Sequence, residues 1–169
     1  DVLTKKILSL FPEPPTWLFR FGNSGDNIVE NAGLLRDNSF DLMSNNRYCV
    51  ITTATRFPYD GFNNGWEDAQ LKNIDWDVII VDEASMIGLS VITYILHQRP
   101  DTEFIIAGDP FQIEPIVHAE EWKGQNIYTL VNLQSFDPEE QQKQLIPHIY
   151  QVENLLTQYR SITTLGYIF

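Results

Sequence analysis

The chain has 169 residues, enough for one domain with a core of ordinary size. Acidic residues outnumber basic ones 23 to 11, a formal net charge of −12, which argues against broad charge-driven binding of a polyanion by this chain alone, though not against a strand held in a local groove. No stretch approaches the ~20 continuous apolar residues of a membrane span, and the start from Asp1 to Ile7 lacks the long apolar core of a signal peptide.

Residues 1–12 read as a helix tail with Ile7, Leu8 and Phe11 as its apolar face, broken by Glu13-Pro14-Pro15. Trp17 to Phe21 reads as a strand and Gly22-Asn23-Ser24-Gly25 as a turn. Asp26 then caps an expected helix running to about Leu35, with Ile28, Ala32 and Leu35 on one side. Tyr48 to Thr53 is a further strand. It holds Cys49, the only cysteine, which cannot form an internal disulfide and reads as a buried structural thiol in a reducing cytoplasm. The segment from Phe57 to Asp68 is a loop rich in Gly, Asn and aromatics; Tyr59, Phe62 and Trp66 are candidates for stacking on bases.

Two apolar runs follow, and each ends in acid. Asp77-Val78-Ile79-Ile80-Val81-Asp82-Glu83 is the first, and Glu103-Phe104-Ile105-Ile106-Ala107-Gly108-Asp109 is the second. Neither alternates with polar residues, so both faces of each strand are expected to be buried, as in a parallel sheet covered by helices. Between them, Ser85 to Gln98 carries Met86, Leu89, Ile92 and Leu96 at helical spacing, with Val91 and Ile95 beside them, and Arg99-Pro100-Asp101 stops the helix. Strand, helix and strand make one βαβ unit, expected to have a right-handed crossover. Its two acidic ends fall on the carboxyl edge of the sheet, where α/β folds bind ligands.

Residues 118–150 form a polar, partly helical stretch around Pro138 to Lys143, read as an insertion or linker. Gln151 to Leu156 is an expected strand. Gln158-Tyr159-Arg160-Ser161 follows, then a helix cut by the chain end. Both ends read as mid-domain, the expectation for a fragment of a longer protein. His97, His118 and His148 lie far apart without metal-ligand spacing, and each reads as solvated or packed.

An apolar strand ending in Asp-Glu is a Walker B pattern. Asp82 would hold Mg²⁺, largely through water, and Glu83 would orient and deprotonate an attacking water. In the second run Gly108 permits a tight exit, and Pro110 and Pro115 stiffen the loop around Gln112. A rigid Gln112 amide can donate to a γ-phosphate oxygen and accept from the attacking water. Arg160 can fork onto phosphate oxygens.

Together these blocks resemble a superfamily 1 helicase. VIIVDEAS (residues 78–85) is similar to its motif II, GDPFQIEPIV (108–117) to motif III, and Gln158-Tyr159-Arg160-Ser161 to motif IV. The nearest branch contains the RNA-surveillance and replication-nuclease helicases, whose motif II also reads DEAS. YCVITTATR (48–56) resembles the strand with the nucleic-acid-contacting threonine motif, Ib or Ic, and Trp17 to Leu35 resembles the Arg-x-Gly segment before it. The resemblance implies an α/β fold: a RecA-like, P-loop NTPase-type parallel sheet flanked by helices. Residues 1–169 would be part of domain 1A, from motif Ib/Ic through motif IV.

It also implies ATP and Mg²⁺ as cofactors. Asp82 would hold the metal, and Glu83, Gln112 and Arg160 would be catalytic. Asp82, Asp109, Gln112, Gln158, Tyr159 and Arg160 would lie at the nucleotide. Thr53, Thr55 and Arg56 would touch single-stranded nucleic acid, DNA ahead of RNA. No membrane partner is implied, and the compartment would be the cytoplasm.

The sequence departs from the family's pattern. It has no Gly-x-x-x-x-Gly-Lys-Ser/Thr loop, since Gly22-Asn23-Ser24-Gly25 lacks the lysine, and nothing corresponds to a second RecA-like domain. Glu114 stands where an apolar residue or proline is common, and Thr163 and Thr164 where proline is common. The isolated chain is therefore expected to be nearly inactive, its missing partner being the rest of the helicase. The alternative is a non-catalytic RecA-like scaffold or regulatory module that binds protein.

Overall fold

A β-strand whose side chains alternate between a covered and an open face organises the part of the fold that holds the two acidic runs. The structure is a computed structural model, and it describes residues 2–13, 15–20, 33–34, 46–58, 71–111, 115–133, 135, 137–143, 150–155 and 157. Within these, α1 (Val2–Leu8) precedes β1 (Leu18–Arg20), β2 (Gly33–Leu34) and β3 (Cys49–Ile51). Then come β4 (Val78–Val81), α2 (Leu89–Gln98), β5 (Glu103–Ile106), α3 (Ile127–Leu130) and α4 (Pro138–Lys143). Single 3₁₀ turns lie at Leu71–Asn73, Ala84–Met86 and Glu120–Trp122. No helix among the described residues is long and apolar enough to cross a membrane.

The fold class is α/β, and the described strand pairings are parallel. Hydrogen bonding divides the described strands into two sheets, one ordered β2-β1-β3 and the other β4-β5. The expected βαβ unit is present. Val78 pairs with Glu103, Ile79 with Phe104, Ile80 with Ile105 and Val81 with Ile106, and α2 connects the two strands. Parallel strands need such a crossover because their near ends lie at opposite edges of the sheet.

One expectation is corrected here. β4 and β5 are not covered on both faces. Ile79, Val81, Phe104 and Ile106 pack under Val91, Ile92, Ile95 and Leu96 of α2. On the other face Ile80 is 68% exposed and Ile105 48%, with Val78 and Glu103 exposed beside them. The pleat sends alternate side chains to opposite faces, and the in-register pairing lines the outward ones up. An apolar run says that a strand suits burial; it does not say how many layers cover it.

Among the described residues the interior gathers into two apolar clusters, with Ile79 packed against both. One gathers Phe19, Phe57, Leu71, Ile74 and Ile95; the other gathers Val81, Ala84, Ile92 and Ile127. The first joins the two sheets, because Phe19 and Val50 belong to it together with Ile79 and Phe104. The second brings in α3. The stretch 118–150, read as an insertion or linker, thus supplies a core residue, Ile127. Burying an isoleucine fully is worth about 1.5–3 kcal/mol.

Three further expectations change. The helix between the acidic runs does not start at Ser85. Ala84–Met86 is a 3₁₀ turn, Ile87 and Gly88 are extended (ψ 125° and 138°), and α2 begins at Leu89. Its end falls where proline dictates, at Gln98, with the Arg99 amide donating to the Leu96 carbonyl. Leu34, expected near the end of a helix capped by Asp26, is instead in β2, which pairs with β1 through Phe19–Gly33 and Arg20–Leu34; the rest of that helix lies outside the described residues. Residues 150–155 are not a strand. Side chains hold them: the Tyr150 hydroxyl donates to the Val131 carbonyl (2.6 Å), and Asn154 Nδ2 donates to Gln141 Oε1 (2.7 Å). The loop aromatics Tyr59, Phe62 and Trp66 lie outside the described residues.

Candidate functional site

The exits of β4 and β5 are stitched together beyond the strands themselves. The Ala107 amide donates to the Val81 carbonyl (2.8 Å), and the Ala107 carbonyl accepts from the Ala84 amide (2.9 Å). The chain must therefore leave β4, place two residues and return to β5. Asp82 and Glu83 are those two, and both are exposed. Glu83 makes the return in the left-handed region (φ 53°, ψ 41°), which costs a non-glycine residue on the order of 1 kcal/mol. The 3₁₀ turn that follows is closed by Met86 N–H to the Glu83 carbonyl (3.0 Å).

Gly108 is the matching feature on β5. A methyl group there would come within 2.8 Å of the Ala84 amide nitrogen, 3.2 Å of the Tyr128 hydroxyl and 3.4 Å of the Glu83 carbonyl carbon. The requirement for glycine is close backbone approach. It puts Asp109 directly beside the Asp82–Glu83 exit, as two parallel strands in this register demand.

Backbone amides orient the two aspartates. Asp82 Oδ1 accepts from the Glu83 amide (3.0 Å), and Asp109 Oδ1 accepts from the Phe111 amide (2.9 Å). Ser85, just behind the acids, is buried, and its hydroxyl has no hydrogen-bond partner. Three exposed carboxylates thus stand along two adjacent strand exits, with a buried hydroxyl beside them. Among the described residues there is no group of three His, Cys, Asp or Glu able to cage a metal.

Tyr128 is a member of this rim that the sequence reading missed. Asn126 caps α3. Its Oδ1 accepts from the Tyr128 amide (2.9 Å) and the Thr129 amide (3.2 Å), and Thr129 Oγ1 accepts from the Asn126 amide (3.0 Å). The cap sets the first turn so that Ile127 enters the core and Tyr128 reaches Gly108. Burial raises the Tyr128 pKa first, and the negative charges of Asp109 and Glu83 raise it further. The available signal was Asn126-x-x-Thr129 ahead of an apolar pair, a capping pattern in a stretch read as a linker.

The remaining candidates divide. Thr53, Thr55 and Arg56 follow β3, in the other sheet. The Thr53 and Thr55 hydroxyls lie 3.4 Å apart and exposed, and the Arg56 and Phe57 amides both donate to the Thr53 carbonyl (3.0 Å each). Gln112, Gln158, Tyr159 and Arg160 lie outside the described residues. Cys49 is half-buried, and burial pushes its thiol pKa up. His97 and His118 are exposed. Comparison with protein-family models, with curated proteins and with solved structures finds no match for this chain.

Proposed function

We propose that this chain is part of the first RecA-like domain of an ATP-driven superfamily 1 helicase, a cytoplasmic protein that couples Mg·ATP hydrolysis to movement along single-stranded nucleic acid, DNA ahead of RNA. The observation that carries the reading is the in-register parallel pairing of β4 and β5, which sets Asp82 and Glu83 beside Asp109 on one rim. The left-handed backbone at Glu83 supports it, because strain of this kind clusters where a side chain must be aimed.

In this reading Asp82 would hold Mg²⁺ through its hydration shell, with Asp109 next to it. When bound, Mg·ATP would supply the phosphoryl group and the cation. Glu83 would accept the proton of the attacking water. By the helicase resemblance Gln112 would contact the γ-phosphate, Arg160 would act as the arginine finger, and Gln158 and Tyr159 would bind the nucleotide. Thr53, Thr55 and Arg56 would touch the nucleic-acid backbone.

The test needs a form of the protein that includes a Gly-Lys-Thr phosphate loop. There Glu83→Gln is expected to lower kcat for ATP hydrolysis by about a hundredfold or more. An unchanged rate removes Glu83 as the base.

A second reading, a non-catalytic RecA-like module that binds protein, is favoured by the open apolar face at Ile80 and Ile105 and by the acidic balance. In that case Mn²⁺, used as a paramagnetic probe on the 169-residue chain, would leave the amide resonances around Asp82 unbroadened.

A further inference from the structure

One face of the β4–β5 pair lies under α2. The other carries Val78, Ile80 and Ile105, all exposed, with Glu103 in register beside Val78 and Ile105 beside Ile80. Parallel sheets ordinarily have both faces covered, and the cover is helical. Carboxylates stand at both ends of this open face. Asp77 and Glu103 are at the strand entries, where the Glu103 amide donates to the Asp77 carbonyl (3.3 Å), and Asp82, Glu83 and Asp109 are at the exits; all five are exposed. No lysine or arginine lies between Asp77 and Glu83 or between Glu103 and Asp109. The face is an apolar strip bounded by negative charge.

That charge argues against two occupants. A second copy would bring its own net charge of −12 to the contact. The stretches of this chain outside the described residues hold no more than one basic residue each, Arg36 in one and Arg160 in another, too few to match acids at both ends. We propose that this face docks an amphipathic helix of a partner protein, one with an apolar stripe between lysine or arginine residues. The stripe lies on Ile80 and Ile105 as α2 lies on Ile79 and Ile106, and the basic residues meet the two acidic ends. Apolar burial supplies the affinity, while the charges steer encounter and fix orientation. The proposal rests on the protein-binding reading of this face and not on whether the strand exits hold Mg·ATP.

The test titrates the 169-residue chain with a leucine–lysine peptide that forms about four turns of amphipathic helix, and with a peptide of the same composition whose leucines are spread around the helix. The amphipathic peptide is expected to shift the methyl resonances of Val78, Ile80 and Ile105 and to bind about tenfold more tightly than the scrambled one. Ile80→Thr is expected to weaken binding about three- to tenfold, and Glu103→Gln to reduce the salt dependence of the association rate. Equal binding of the two peptides, or unmoved Ile80 and Ile105 methyls, overturns the proposal. So does either rival occupant: a dimer of the chain alone that Ile80→Thr dissociates, or Ile80 and Ile105 methyls that a soluble paramagnetic agent fails to broaden in the free chain. Covered methyls remove the protein-binding reading itself, whereas equal peptide binding removes only this partner. Mn²⁺ broadening near Asp82, present or absent, changes neither result, so the nucleotide reading fails or stands separately.

Discussion

The β1–β3 pair and the β4–β5 pair are both parallel and both apolar, yet they are used differently. Leu18, Phe19 and Arg20 of β1 are all buried, and after β3 the chain turns so that Phe57 returns to the core. The β4–β5 pair is covered by α2 on one face only, and its exits hold exposed carboxylates. The first pair is a wall of the core. The second is a ledge, with a packed underside and an edge that chemistry can reach.

That contrast can be broken by substitution. The largest effect is expected in the two core clusters, the one that joins the pairs and the one under α2. Phe19→Ala should cost about 3–5 kcal/mol and Ile92→Ala about 2–5 kcal/mol, read by urea unfolding, because each leaves a cavity in a cluster of buried side chains. If Ile92→Ala is nearly neutral, α2 does not cover the ledge as described.

Gly108→Ala comes next. Its methyl would meet the Ala84 amide at 2.8 Å, a backbone atom that cannot rotate away, so the strand exits must separate. The expected loss is about 1–3 kcal/mol by the same unfolding measurement, with the Ala84–Ala107 hydrogen bond opening first in amide exchange.

A smaller effect follows from Cys49 in the wall. Burial raises its pKa above the ordinary thiol value of 9.0. The folded state then holds the thiol proton more tightly than the unfolded chain does. The associated stability is complete below the unfolded pKa and is lost as pH rises through the folded one. Stability should therefore fall as the solution is taken above pH 9.0, with a shallower slope in Cys49→Ala. At pH 8 the thiol should react with Ellman's reagent more slowly than free cysteine, since the thiolate is the nucleophile.

The smallest effect is expected on the open face. Ile80→Thr should stay within about 0.5 kcal/mol of the parent chain, because Ile80 is 68% exposed. A loss as large as that of Ile92→Ala would mean that this face is covered in solution.

Some of this was legible from residue order. The paired apolar runs, the helical spacing between them and the stop at Arg99-Pro100 are short-range signals, and the βαβ unit and α2's end follow them. The start of α2 was misread because Gly88 was counted inside a periodic pattern, although a residue without a Cβ serves equally well as the extended N-cap it becomes. Leu34 falls within the helix expected from Ile28, Ala32 and Leu35 behind the Asp26 cap, while its pairing with β1 is a long-range fact. Gln151 to Leu155 had strand composition but makes its hydrogen bonds through side chains. Tyr128 was passed over because no local pattern links residue 128 to residue 108.

By itself the sequence determined where chemistry-bearing side chains stand along the chain: two carboxylates at the end of one apolar run, and glycine then aspartate at the end of the next. Tertiary structure decided which of them meet, which faces stay open and which further residue joins. The reason is range. Periodicity and proline act within a few residues, whereas the close approach of Ala84 to Gly108 and the arrival of Tyr128 depend on strand register and on how Ile127 packs.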